Sequence, residues 1–186
     1  MSGRVLLTGF EAFAGNCTNP TEELVRKFSD GPHFKTLILP VSFEHAWNKL
    51  HQQIIGFRPD WIISCGVAAK RETIDLERVA LNLMDASIVD NDGKLMKEMR
   101  ISPHGPDCFL SDLPLSEWKE NLAAHYPVKV SLTAGSYVCN YLYYQLMLHR
   151  THYHYESLFI HFPYPSASLS EESFFDFMQA FLQKID

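Results

Sequence analysis

Cysteine is scarce and unpatterned in this sequence: the four residues at positions 17, 65, 108 and 139 form no C-x-x-C pair and no other metal spacing. The amino terminus, MSGRVLLTGFEAF, carries only Val5, Leu6 and Leu7 as an apolar stretch before Thr8 and Gly9, which is too little for a signal peptide and reads as a first strand. Without a secretory leader a disulfide framework is not expected, and we anticipate free thiols in a reducing cytoplasm. No apolar run approaches the roughly 20 residues that span a bilayer, so no membrane segment is expected. A basic block is also missing. With 16 Lys and Arg against 22 Asp and Glu, the net charge of -6 gives no footprint for a nucleic-acid partner.

Nucleotide and metal motifs are absent too. The stretch GFEAFAGN has glycines without the G-x-G-x-x-G spacing, and without the lysine and hydroxyl of a phosphate loop. The histidine-rich run from His149 to His161 matches no zinc spacing, and His149, His152 and His154 read as solvated residues at a helix end. There is no internal repeat or linker. What is present is ordinary: 46% hydrophobic and 20% charged residues, in a length that folds as one domain over residues 1–186 and buries roughly 70% of its unfolded surface.

Strands and helices alternate. Val5 to Thr8 is a strand closed by Gly9; Asn19 caps a helix with Pro20 at its first position and Glu22 three residues past the cap, running to about Phe28. Lys35 to Pro40 is a strand, Glu44 to Ile55 an amphipathic helix, and Trp61 to Ser64 a buried strand ending at Gly66. The middle is read as a strand from Arg78 to Leu83 and a loop or hairpin to Asp107. A helix from Ser116 to His125, a strand from Val128 to Leu132, a helix from Tyr137 to Leu148, a strand from Ser157 to His161 and a helix from Ser170 to Lys184 complete the order. This alternation predicts an open, mostly parallel α/β sheet covered on both faces, with ligands at the carboxyl ends of the strands. Gly9–Gly15, Gly66–Arg71, Thr133–Cys139 and His161–Tyr164 all follow predicted strands and are expected to converge on one edge.

Cys139 sits in TAGSYVCNYLYY, near a helix start where free N–H groups and the dipole are expected to lower a thiol's pKa. A packed small hydrophobe is an equally open reading. His161 closes the strand SLFIH ahead of the turn residues FPYP, and on position alone catalysis and a satisfied core polar group are both open. Cysteine acyl transfer needs a thiol, an imidazole and a carboxylate to orient it; Glu77, in IDLERVALN, is the best candidate for the third member.

These segments, together with VLLTGFEAF and its NP at Asn19 and Pro20, LPVSF, DASIVDN, GPDCFLSDLPL and FIHFPY, resemble the pyroglutamyl peptidase I family (pyrrolidone-carboxylate peptidases), a family of cysteine peptidases, nearly end to end. The resemblance implies a three-layer α/β/α sandwich around a mostly parallel, mixed sheet. It implies a catalytic set of Glu77, Cys139 and His161, with Phe10 and Phe13 sandwiching a flat lactam ring and Asn19 orienting the first loop as well as capping the helix. The implied activity is a cysteine exopeptidase that removes an N-terminal pyroglutamyl residue, without metal or organic cofactor. The implied partners are small peptides with N-terminal pyroglutamate, with room for a homo-oligomer. A non-catalytic or weakly active pyroglutamyl-peptide-binding homologue, and a thiol amidase of shifted specificity, are the alternatives. The family's usual arginine is replaced by Ser87 in DASIVDN, the first loop reads FEAFAG, and Lys70 or Arg71 is left to supply local positive charge.

Overall fold

The computed structural model describes residues 3–185. In chain order the elements are β1 (Val5–Phe10), α1 (Pro20–Arg26), β2 (Phe34–Leu39), α2 (His45–Phe57), β3 (Trp61–Val67), β4 (Ile74–Glu77), β5 (Val79–Leu81), β6 (Cys108–Leu110), α3 (Leu115–Leu122), β7 (Val128–Ser131), α4 (Val138–Tyr153), β8 (Glu156–Phe162) and α5 (Glu171–Leu182). The main sheet has six strands in the order β2-β1-β3-β8-β4-β7. All neighbours pair in parallel except β4 with β8, which are antiparallel. The sheet is therefore mixed, with β4 and β7 running against the other four.

Period-two alternation splits the core into two apolar layers. Leu6, Phe10, Ile62 and Phe159 pack with α2 and α4 on one face. Val5, Leu7, Ile63, Leu158, Ile160 and Phe162 pack with α1, α3 and α5 on the other. This is a three-layer α/β/α sandwich. Caps form where the sequence suggests: Asn19 Oδ1 accepts from Thr21 N, and Ser170 Oγ accepts from Ser173 N, ahead of the buried Phe174, Phe177, Met178 and Phe181. Glu22 does not turn back to the cap; it pairs with Arg26 one turn on. Among the described residues no helix is long and apolar enough to cross a membrane.

One expected element moves. The strand anticipated from Arg78 to Leu83 is broken at Arg78: Ile74–Glu77 enters the main sheet, whereas Val79–Leu81 pairs only with Cys108–Leu110 in a separate two-stranded ribbon. β-propensity alone made the second half look like the sheet strand. In the structure the first half wins, because its Ile74 and Leu76 fill the α3/α5 layer.

Two buried amides hold this excursion in place of a strand ladder. Asn82 Oδ1 accepts from Ile101 N and Ser102 N, and its Nδ2 donates to Ser102 O and Gly105 O. Asn140, on α4, accepts from Leu81 N and donates to Leu81 O and Leu83 O. Replacing Asn140 with alanine removes three bonds worth about 1 kcal/mol each, so urea unfolding of Asn140→Ala is expected to show a loss of roughly 3 kcal/mol.

Candidate active site

The last strand places its side chains by simple alternation. On β8, Leu158, Ile160 and Phe162 enter one layer, so Phe159 and His161 face α4. On β4, Ile74 and Leu76 enter that same opposite layer, which turns Asp75 and Glu77 towards α4 as well. The antiparallel register sets Asp75 directly opposite His161, with Glu77 one step diagonal. Glu77 Oε1 accepts from His161 Nδ1 at 2.7 Å, and both side chains are buried. A carboxylate can only accept, so this bond puts the ring proton on Nδ1 and leaves Nε2 basic. The Glu77 backbone is fixed in turn, its carbonyl accepting from Tyr143 Oη of α4 at 2.9 Å.

Cys139 reaches this face by a route different from the one expected. β7 runs opposite to β8, so the segment Thr133–Cys139 leaves the other edge of the sheet from the segments after β1, β3 and β8. It still arrives because β4 and β7 are only four residues long, and α4 begins over the middle of the sheet. Its thiol lies over Gly66, the residue of β3 paired with His161. A methyl on Gly66 would sit 2.9 Å from Cys139 Sγ and from two atoms of the Phe159 ring, so only glycine leaves the thiol its place.

The expected lowering of the thiol pKa is reversed. Burial pushes Cys139 up to about 12, and the charge of Glu77 adds to it; Arg71 and the backbone N–H at the helix start oppose the shift without overcoming it. The neutral thiol is the form that this surrounding favours.

Of the two cations considered, Lys70 is exposed and Arg71 turns inward. Arg71 Nη1 lies 2.5 Å from both Asp75 Oδ2 and Glu77 Oε1, and Nη2 donates to Thr133 O at 2.7 Å. Burial alone would lower the guanidinium pKa, but Glu77 and Asp75 together hold it above its usual value. The second oxygen of Glu77, Oε2, is buried and has no hydrogen-bond partner among the described residues. Asp75 is fully buried, and its Oδ1 accepts from Thr73 Oγ1 at 2.6 Å. Sequence reasoning missed Asp75; the signal available was the alternation of apolar and acidic residues in IDLE. Ser87 lies exposed on a surface loop.

The first loop supplies the aromatic residues, in separate places. Phe10 ends β1 and is only 2% exposed, its ring 6.4 Å from that of Phe159. Phe13 is half-buried, its ring 6.3 Å from Tyr137, which in turn meets Phe43 edge-on at 5.5 Å. Tyr137, immediately before α4, was also missed. Its hydroxyl donates to Val89 O, tying the loop ahead of α4 to the loop at Val89. Asn19 commits its whole amide locally: Oδ1 accepts from Thr21 N and Oγ1, and Nδ2 donates to Glu11 O in the first loop. Of the histidines read as solvated, His152 and His154 are exposed, but His149 is half-buried and packs on Trp47 at 4.8 Å.

A buried imidazole held by a carboxylate, with a thiol across the same face, is the equipment of cysteine acyl transfer. Known proteins resemble the chain as a whole. The family model for pyroglutamyl peptidase matches residues 3–174. The pyrrolidone-carboxylate peptidase of Bacillus subtilis is 39% identical over 88% of this chain and 80% of its own length. That of Pyrococcus furiosus is 37% identical over 87% and 81%. The crystal structure of Bacillus amyloliquefaciens pyroglutamyl peptidase I superposes with a TM-score of 0.89 at 34% identity, covering 96% of this chain and 94% of that one. Similarity that extends over the fold, the length and the sequence together makes this chain a member of the pyroglutamyl peptidase family of cysteine peptidases.

Proposed function

We propose that this protein is a cysteine exopeptidase that hydrolyses the amide bond after the N-terminal pyroglutamyl residue of small peptides. The observation that carries the proposal is the 2.7 Å bond from His161 Nδ1 to Glu77 Oε1, on the sheet face where Cys139 lies over Gly66. Membership of the family supplies the substrate class. One catalytic domain in the cytoplasm, where the four cysteines stay as free thiols, fits this chemistry.

A pyroglutamyl terminus is a flat, uncharged lactam, so its pocket needs aromatic walls and few polar contacts. Phe13 and Tyr137 provide half-buried rings beside the thiol's helix, with Phe10 and Phe159 beneath as floor. Asn19 acts on substrate indirectly, by holding the first loop at Glu11.

The reaction follows from the protonation states. His161 Nε2 takes the proton of Cys139 as sulfur attacks the scissile carbonyl, and Glu77 stabilises the imidazolium that forms. The backbone N–H groups of the first turn of α4 have no helical partners and carry the positive end of the dipole, so they suit the oxyanion. Imidazolium then protonates the leaving amine, its C–N bond breaks, and water opens the thioester to release pyroglutamate and restore the thiol.

Release of a fluorophore from a pyroglutamyl amide is expected to be abolished in Cys139→Ala. It should fall by about a thousandfold or more in Glu77→Gln, where the amide no longer fixes the tautomer. Wild-type protein no faster than Cys139→Ala would sink the proposal.

The raised thiol pKa has its own signature. With the folded-state value near 12, above that of a free thiol, ionisation is suppressed until well past neutrality. Alkylation of Cys139 by iodoacetamide, followed by mass spectrometry, is expected to accelerate steadily above pH 9 with no plateau near neutral pH. A neutral plateau would instead reveal a standing thiolate–imidazolium pair.

A further inference from the structure

Asp75 is a fully buried carboxylate that the reaction does not use. Such a group is costly to bury unless its charge is compensated. Its position is also awkward for catalysis: on the antiparallel pair it stands directly opposite His161, closer in register than Glu77 itself. Left free, it would be a rival acceptor for the imidazole. Instead both its oxygens are occupied, Oδ1 by Thr73 Oγ1 at 2.6 Å and Oδ2 by Arg71 Nη1 at 2.5 Å, while Lys129 on β7 stands 3.5 Å from Oδ2.

The same Arg71 nitrogen reaches Glu77 Oε1, the atom that holds the imidazole. A guanidinium paired with Glu77 alone would offset the charge that stabilises the imidazolium. Shared with Asp75, it leaves the Asp75–Glu77–Arg71 group net negative beside His161. The other arm of the fork is fastened to Thr133 O, in the segment leading to Cys139, so one side chain locates the orienting carboxylate relative to the nucleophile's loop.

We infer that Asp75 and Arg71 are positioning residues for the His161–Glu77 pair: Asp75 draws off part of the Arg71 charge so that Glu77 remains an effective partner of the imidazole, and Arg71 aligns Glu77 with the loop that carries Cys139. The groups facing His161 are Asp75 and Glu77 from β4, Arg71 from the segment before it, and Cys139 from α4. Tyr143 of α4 and Lys129 of β7 act at one remove, through the Glu77 carbonyl and Asp75. From β3 the facing residue is Gly66, which is uncharged. This inference deepens the proposed function and rests on His161 as its base.

Charge-removing variants give opposite signs. Asp75→Asn keeps the shape, with its amide oxygen accepting from Arg71 and its NH2 donating to the Thr73 hydroxyl, but throws the whole guanidinium charge onto Glu77. The imidazolium is then less stabilised, and the acid limb of kcat/KM should move to lower pH by about half a unit or more. Arg71→Gln leaves two anions beside the ring and should move the limb to higher pH. The double variant Arg71→Gln/Asp75→Asn removes one charge of each sign and should return the limb towards wild type. Arg71→Lys, which keeps the charge but loses the fork, should leave the limb near its original position while kcat falls and KM changes little.

The same titrations are read without turnover by NMR of the His161 imidazole, assigned with His161→Gln. Coincident wild-type and Asp75→Asn titrations, or single variants that shift in the same direction, would overturn the inference. Should Arg71→Gln not fold, the comparison of Asp75→Asn with wild type decides alone. An inactive wild type would defeat the proposed function and leave the NMR comparison to judge this one. An active enzyme with coincident titrations would defeat this inference only.

Discussion

One carboxylate oxygen, Glu77 Oε1, receives both an imidazole and a guanidinium inside the protein, and much of the architecture serves to keep it there. A buried anion of this kind persists only where its charge is met and its backbone is immobile. Arg71 meets the charge, and Tyr143 pins the Glu77 carbonyl from the facing helix. Remove the charged pairing and the strand end would have reason to seek water.

The direction of the strands explains how the parts meet. His161 and Gly66 come from adjacent parallel strands, whereas Glu77 and Asp75 come from the antiparallel neighbour on the other side. The imidazole is thus bracketed within the sheet by a bare glycine on one side and two acids on the other. The Cys139 thiol alone comes from a helix, one whose first turn lies over that glycine. Inter-strand spacing therefore sets the imidazole and its carboxylate, and sheet-to-helix packing sets the thiol. The two distances are governed by different contacts.

Much of this was legible in the sequence. The buried strands at Val5–Phe10 and Glu156–Phe162, the Asn19 and Ser170 caps, and the helix holding Cys139 follow from period, propensity and turn chemistry, and the structure has them within a few residues. The break at Arg78 was not legible, because IDLE and RVAL carry similar strand signals and only tertiary burial of Ile74 and Leu76 chooses between them. The opposite sense of β7 was hidden for a related reason: pairing direction is settled by neighbours remote in sequence. The catalytic candidates were placed through the family resemblance; their surroundings were not. Arg71 could be suspected as a cation near the site, but its fork between two acids depends on side-chain reach. The helix terminus pointed to a lowered thiol pKa, whereas desolvation of the half-buried sulfur outweighs a few backbone dipoles and raises it.

The half-buried setting of Cys139 bears on how the protein meets oxidants. Thiolates, not thiols, attack peroxides and disulfides, so burial that favours the protonated sulfur slows both reactions. Cys17 and Cys108, both exposed on the surface, are the more accessible thiols under oxidative stress. Packing at the junction of α4 and Gly66 then does two things at once, restraining the Cys139 thiol and disfavouring its charged form.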